Sequence, residues 1–253
     1  MSRKFEYRNP RRRPPHSRLL LIPCLCILGC LAVVLIAFAM PQASAYFVES
    51  WEPDIRDSSQ TGDFPQEEEW NLTLVNSRHP LPENYSPELS PIDGNGEQFD
   101  SRASGSLQAM LDRMREEGLS PVVCSGFRSR ELQQTLFDNR VERCLDEGIA
   151  QEDAVEEASR YVAQPGTSEH ELGLAADIVS ENYQLLVEEQ ENTAEQQWLM
   201  EHCTEYGFIL RYPKDKTDLT GVSYEPWHYR YVGKEAAQEI MTQGLCLEEY
   251  LKA

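Results

Sequence analysis

The chain has 253 residues, which is enough for one domain of ordinary size with shorter segments around it. Apolar residues make up 40% of it and the mean hydropathy is −0.54, so any membrane segment is local and the rest is a soluble body. The formal net charge of −20 disfavours nucleic acids and other polyanions as partners.

Residues 19–40 form an uncharged apolar run of 22 residues, long enough for a bilayer span of ~20 residues. Basic residues dominate the stretch before it. We therefore predict a basic cytoplasmic tail over 1–18, a single transmembrane signal-anchor over 19–40, and an extracellular location for the remainder. The alternative is secretion after cleavage near Ala45, but signal-peptide apolar regions run only ~7–15 residues, which favours a retained anchor.

The acidic charge lies after the apolar run. Of the 23 basic residues seven occur in the first 45 positions, against one of the 43 acidic residues; this leaves 16 basic and 42 acidic residues, a net charge of −26. Residues 41–70 are polar and acidic with little apolar periodicity, which is typical of a flexible stalk. Residues 71–253 are predicted to form the globular domain.

Within this domain helical and extended patterns alternate. The predicted helices cover residues 106–118, 129–145, 152–162, 193–207 and 234–251, and the predicted strands cover 121–124, 174–179, 208–212 and 227–232. The second helix has an apparent apolar stripe of Leu132, Leu136, Val141 and Leu145, and the third has Val155, Ala158 and Val162. Together these helices and strands predict an α+β fold, in which helices pack against a small and mostly antiparallel sheet.

Four cysteines follow the apolar run, at positions 124, 144, 203 and 246. None has the Cys-x-x-Cys spacing of a metal or redox motif. A thiol buried on an apolar face is the simplest interpretation of each, so we predict neither a disulfide nor a cysteine ligand.

His170, Asp177 and His228 offer nitrogen and oxygen donors that suit zinc and leave one tetrahedral position free for water. A continuous strand would hold His170 and Asp177 about 23 Å apart, so the chain must turn back between them. Gly173 is the natural pivot, and the strand after it gives Asp177 a rigid support. Taken alone, this pair is also compatible with a surface loop.

Glu225 lies three residues before His228, which on a plain strand would point the two side chains to opposite faces. Pro226 makes a strand interior unfavourable there, so we place Glu225 on a turn, from which it can enter the same pocket. A carboxylate that is not itself a ligand can take a proton from a zinc-activated water and pass it to a leaving amine. Glu225 is the candidate for that role.

Three motifs occur in order: Ser125-Gly126-Phe127-Arg128-Ser129, then Ser-x-His-x6-Asp beginning at Ser168, then Glu-Pro-Trp-His beginning at Glu225. In this the chain resembles the VanY-type D-alanyl-D-alanine carboxypeptidases, zinc peptidases with the hedgehog/DD-peptidase zinc fold. The resemblance runs from about residue 74 to 251 and implies that 71–253 is a zinc D,D-carboxypeptidase domain.

The resemblance also implies roles for single residues. One Zn²⁺ per chain would be held by His170, Asp177 and His228, with Glu225 as general base. Arg128, which from the strand alone could be a solvated edge residue, would stabilise the oxyanion. Ser168 and Gln133 would contact the C-terminal end of the peptide, and Trp227 is expected to serve as both core packing and a pocket wall for the substrate.

The function expected on this basis is removal of the terminal D-alanine from peptidoglycan stem peptides outside the cell. We expect the N-terminal helix to attach the protein to the membrane, and we expect no nucleic acid as partner. An L,D-carboxypeptidase or D,D-dipeptidase is an alternative within the same chemistry. A non-catalytic, zinc-stabilised wall-binding module is another, but a structural site has no need of the base Glu225.

Overall fold

The computed structural model describes residues 69–92, 94 and 96–252. The predicted cytoplasmic tail, the predicted transmembrane segment and nearly all of the predicted stalk lie outside these residues. Within the described part of the chain, no helix combines the length and the apolar character that a membrane span requires.

The domain contains six strands, eight helices and three 3₁₀ turns among the residues described. The strands are β1 (Leu89–Pro91), β2 (Gln98–Asp100), β3 (Pro121–Ser125), β4 (Ala175–Ser180), β5 (Phe208–Leu210) and β6 (His228–Tyr231). The helices are α1 (Ser104–Glu116), α2 (Arg130–Asp146), α3 (Ala154–Ser159), α4 (Glu169–Leu172), α5 (Ala194–His202), α6 (Thr217–Thr220), α7 (Lys234–Gln243) and α8 (Leu247–Leu251). The 3₁₀ turns are Trp70–Leu72, Glu188–Asn192 and Cys203–Tyr206.

A four-stranded sheet in the order β3-β4-β6-β5 forms the centre, with every neighbouring pair antiparallel. Strands β1 and β2 pair separately, also antiparallel. The prediction of an α+β fold with a small antiparallel sheet is therefore confirmed. The four cysteines are free thiols, three of them buried.

Strand β4 is buried along its whole length, and its register fixes the positions of the polar residues. Asp177 on β4 pairs with His228 on β6 on one side and with Ser125 at the end of β3 on the other. The sheet therefore brings the ends of three strands into one row. The predicted placement of Asp177 on a buried strand is confirmed.

Two apolar clusters hold the helices to the sheet. Helix α1 buries Leu107, Met110, Leu111 and Met114 against the central cluster, as its spacing predicted. Helix α7 packs Ala237 and Ile240 on Ile209 of β5. At about 25 cal/mol per Å² of apolar area removed from water, these contacts provide the main driving force that fixes the sheet.

Helix α2 differs from its prediction. Leu132 is 48% exposed, and the buried residues of this helix are Gln133, Phe137 and Cys144. The predicted stripe is right in its second half, where Val141 and Leu145 pack in a cluster with Ala154, Ala158 and Val162, and wrong at Leu132, because α2 packs on the short helix α3 rather than on the sheet. The predicted inward position of Val155 is likewise wrong, since that side chain is 46% exposed.

The predicted final helix is also two helices rather than one. Gly244 has φ of +66° and ends α7 in the left-handed conformation that glycine adopts readily. Helix α8 then begins after Cys246 and places Glu248 inside the protein, at 3% exposure.

Candidate metal centre

His170 lies on the single helical turn α4, and Asp177 lies on strand β4, which follows it. The Ser168 hydroxyl accepts a hydrogen bond from the His170 amide and caps α4. Gly173, at φ of +84°, ends α4 and directs the chain into β4. A Cβ at this position would lie 3.3 Å from Pro87 Cγ, so both the backbone angle and the space favour glycine. The predicted pivot at Gly173 is confirmed.

The side chains of His170, Asp177 and His228 meet inside the protein, with one potential ligand atom of each within 4.8 Å of the others. Asp177 Oδ1 lies 3.3 Å from His170 Nε2 and 3.1 Å from His228 Nδ1. This oxygen is buried and has no hydrogen-bond partner among the described residues. A buried carboxylate oxygen facing two ring nitrogens is the arrangement that a zinc ion would satisfy.

The remaining ring nitrogens are fixed by neighbours. His170 Nδ1 lies 2.7 Å from the carbonyl oxygen of Gly126, and His228 Nε2 lies 3.4 Å from Glu169 Oε2. Each neighbour accepts a hydrogen bond from an N–H of its imidazole, which selects the tautomer that leaves the other nitrogen free for a metal. His170 would therefore bind through Nε2 and His228 through Nδ1.

Glu169 connects the centre to a buried ionic network that sequence reasoning did not find. Its Oε1 accepts from Arg211 Nε at 2.8 Å and from Arg230 Nη1 at 2.9 Å. Arg211 also donates two bonds to Glu248, at 2.7 and 2.9 Å, while Arg230 Nη2 donates to the carbonyls of Asn71 and Thr73. Burial disfavours the Glu169 carboxylate, but Arg211 and Arg230 outweigh it and hold its pKa below the usual value.

Glu169→Gln is expected to weaken zinc binding about 10–100-fold, because the amide is a poorer acceptor for His228 and orients the ring less firmly. The measurement is zinc affinity by chelator competition on protein whose folding is checked by circular dichroism. Glu248→Gln is the matched control: it weakens the same network at Arg211 without touching His228. Equal losses of affinity in the two variants would show that the network acts only on folding.

Glu225 is held beside the metal ligands by the predicted turn. The His228 amide donates to the Glu225 carbonyl at 3.1 Å, and the Glu225 amide donates to Tyr212. Its Oε2 lies 3.6 Å from His228 Nδ1, on the side of the ring that faces Asp177. Burial raises the pKa of Glu225 to about 8, against the opposing effect of His228. The carboxyl group therefore adjoins the candidate ligands without belonging to the set.

Arg128 borders the centre from the loop after β3. Its Nη2 donates to Asp177 Oδ2 at 2.6 Å and its Nε donates to Ser125 at 2.7 Å. Gln133 is fully buried behind it, with its oxygen 3.4 Å from Arg128 Nη1 and its amide donating to Ala163. Gln133 thus supports Arg128, and a direct contact of its amide with substrate stays a prediction.

A cleft of about 520 Å³ opens onto these residues. Its walls contain seven of the eight predicted site residues, Gln133 being the exception. The lining comprises Arg128, Leu136, Asn139, Arg140, Arg143, Tyr161, Val162, Ala163, Ser168, Glu169, His170, Asp177, Leu186, Tyr212, Val222, Glu225, Trp227 and His228. A mixed apolar and charged wall leading to a metal centre suits a peptide substrate.

Residues 96–234 match the family model described as VanY, D-alanyl-D-alanine carboxypeptidase. A D-alanyl-D-alanine carboxypeptidase of Enterococcus faecalis is 46% identical over 200 residues, which are 79% of this chain and 71% of that protein. The chain belongs to the VanY family.

Solved structures of VanY proteins share the fold. The structure of VanYB in complex with D-alanine-D-alanine has 48% sequence identity and a TM-score of 0.66, over 73% of this chain and 99% of that one. A VanY D,D-pentapeptidase from a VanB-type resistance cassette, solved in complex with Zn(II), has the same identity and TM-score over 72% of this chain and 99% of that one. Zinc is therefore the metal of this VanY protein, and the donor set fits it.

The VanY fold is also shared with a peptidase of different specificity. The LdcB LD-carboxypeptidase is 39% identical with a TM-score of 0.62, over 71% of this chain and 84% of that one. Membership of the VanY family supports a zinc-dependent D-alanyl-D-alanine carboxypeptidase, while LdcB shows that the same fold also occurs in an L,D-carboxypeptidase.

Zinc binding by this VanY protein is expected to tighten as pH rises. Burial disfavours the His228 imidazolium, but Asp177 and Glu169 outweigh it and raise the pKa of His228 to about 9. Zinc must displace that proton, so the apparent affinity should rise about tenfold per pH unit between pH 6 and 8 and level off above about 9. Chelator competition across this range measures it, and a flat profile would contradict the assignment of His228.

Proposed function

We propose that this protein removes the terminal D-alanine from peptidoglycan stem peptides on the outer side of the cell membrane. The observation that carries the proposal is Glu225, a buried carboxyl group next to the metal ligands but outside their set. A zinc site with a purely structural role has no use for such a group. The relatives that act on D-Ala-D-Ala support the choice of substrate.

A bound zinc ion would supply Lewis acidity toward the scissile carbonyl and lower the pKa of water to about 7. Glu225 then acts as general base, because its carboxylate takes the proton of the attacking water. A cation nearby favours the ionised form and so opposes the effect of burial on its pKa. The same carboxyl group returns the proton to the departing amine of D-alanine.

Arg128 stabilises the negative charge that develops on the carbonyl oxygen. Two of its nitrogens are occupied by Asp177 and Ser125, which fix the guanidinium plane, while the sole contact of Nη1 within the described residues is the long one with Gln133. A fixed donor costs no reorganisation when the charge appears. Ser168 and Trp227 border the same cleft and are proposed to contact the peptide.

The proposed location depends on residues outside the structure. The apolar run 19–40 and the basic residues before it favour an anchored protein with the domain outside, and secretion after cleavage near Ala45 is the alternative. Protease added to intact cells should remove an outside domain and leave a short membrane-bound fragment. Full protection of the domain until the cells are lysed would contradict the proposal.

Product analysis tests the reaction. The full chain in detergent is incubated with a stem pentapeptide ending in D-Ala-D-Ala and with the corresponding tetrapeptide, and the products are followed by mass spectrometry. Loss of one alanine from the pentapeptide, blocked by a chelator and restored by zinc, is the expected result. Preference for the tetrapeptide would indicate the L,D specificity of LdcB, and loss of a dipeptide would indicate a dipeptidase. Bound zinc with no cleavage would indicate a binding module.

A further inference from the structure

Helix α2 presents a row of side chains to the cleft beyond the catalytic residues. Leu136, Asn139, Arg140 and Arg143 line the cleft at positions i, i+3, i+4 and i+7 of α2, which places them on one face of the helix. Arg128, at the metal centre, lines the same cleft. Its outer end carries two arginines, although the protein as a whole is strongly acidic.

Arg140 is the more firmly held of the two. Its side chain is 15% exposed, and its guanidinium carbon lies 4.4 Å from the centre of the Tyr161 ring. The nearest carboxylate oxygen is that of Glu147 at 3.6 Å, on a side chain that is 54% exposed. Arg140 Nε is buried and has no hydrogen-bond partner within the described part of the chain.

These features make Arg140 a positioned cation whose Nε has no hydrogen-bond partner among the described residues. Stacking on Tyr161 fixes the guanidinium plane, and an exposed partner at 3.6 Å contributes little. The flat fork of an arginine matches a carboxylate, to which it can donate two parallel hydrogen bonds. An anionic group on the substrate is therefore the natural partner.

Helix α2 also sets the distance between Gln133 and Arg140. Gln133, which supports Arg128, and Arg140 are seven residues apart on α2, about 10 Å at a rise of 1.5 Å per residue. An extended peptide advances about 3.3 Å per residue, so a substrate that follows α2 covers this distance in about three residues. The family resemblance places Gln133 at the C-terminal end of the peptide, so the anionic group should lie about three residues before that end.

We propose that Arg140, with Arg143 beside it, binds a carboxylate that the substrate carries about three residues before its C-terminus. This rests on the proposed function. In a stem pentapeptide that position is the second residue, a D-glutamate joined to the next residue through its side chain, which leaves its α-carboxylate free. Arg140 would thus make the protein prefer stems with this carboxylate over stems in which it is amidated.

Calorimetry on zinc-loaded, full-chain Glu225→Gln protein tests the site apart from turnover. Two pentapeptides are compared that differ only in a carboxylate or a carboxamide at the second residue. We expect about tenfold tighter binding of the carboxylate peptide, as one charge-assisted pair would give. Adding Arg140→Gln should bring the two affinities within about twofold, and adding Arg140→Lys should leave an intermediate preference because the charge remains without the fork.

Arg113→Gln is the matched control, since this arginine lies on the exposed face of α1 and pairs with Glu117. It should leave the tenfold preference intact. Equal affinity for the two peptides, absence of binding of both, or a preference that survives Arg140→Gln would overturn the proposal. Turnover of the same peptides by the wild-type protein is a separate readout: a binding preference without cleavage would remove the proposed function and keep the carboxylate site.

Discussion

Glu225→Gln is expected to keep one zinc ion per chain and to lower kcat about 10²–10⁴-fold, the usual contribution of a general base. Glutamine has the same size and stays beside His228, but it cannot accept the proton of the attacking water. Because Glu225 lies outside the set formed by His170, Asp177 and His228, the metal should remain. Metal content by mass spectrometry and the rate of D-alanine release are the two measurements.

His170→Ala and Asp177→Ala are the controls for this result. Each removes one of three ligand atoms that lie within 4.8 Å of one another, so each should lose zinc together with activity. The contrast between lost metal and retained metal is what separates a ligand from a base. If all three variants lost zinc equally, Glu225 would be a ligand and the proposed mechanism would fail.

Arg211→Met is expected to lower the free energy of unfolding by about 3–5 kcal/mol, the usual cost of removing one partner of a buried ion pair. Arg211 and Glu169 are both 0% exposed at their side chains, and Glu248 is 3% exposed. Methionine fills much of the space but leaves two carboxylates with fewer partners in a site of low dielectric. Urea unfolding monitored by circular dichroism measures the change.

The matched surface variant is again Arg113→Gln. Its partner Glu117 is 38% exposed and the arginine 53%, so loss of this solvent-screened pair should cost far less stability than loss of Arg211. A comparably small effect of Arg211→Met would mean that the buried network does not stabilise the fold. It would also remove the argument that Glu169 is rigidly held for His228.

The sequence predicted those parts of the centre that depend on local signals. Gly173 marks the turn, the short buried strand after it carries Asp177, and Pro226 marks the turn before His228; each prediction agrees with the structure. Short apolar stretches bounded by turn residues were likewise enough to predict the four strands of the central sheet. These features depend on backbone preferences and burial within a few residues, which a single sequence displays directly.

Long-range pairing could not be predicted in this way. Glu169 and Arg211 are 42 residues apart in the chain and Arg211 and Glu248 are 37 apart, and in an acidic protein each glutamate resembles a solvated surface residue. The signals available were an arginine directly after the apolar stretch Phe208–Leu210 and a carboxylate next to a predicted ligand. Neither identifies a partner. The start of helix α2 was misjudged for a related reason, since its inner face is set by distant residues that contact Gln133 and Phe137.

The contacts of Arg211 and Arg230 extend beyond the stretch that the family model matches, residues 96–234. Asn71 and Thr73 lie before it and Glu248 lies after it, yet they supply acceptors to these two arginines. A fragment cut to the matched stretch would bury both guanidinium groups with part of their acceptors missing, at about 1–3 kcal/mol for each unsatisfied group. The boundaries of an autonomous catalytic fragment are therefore set by hydrogen-bond acceptors at both of its ends, rather than by the span of recognisable motifs.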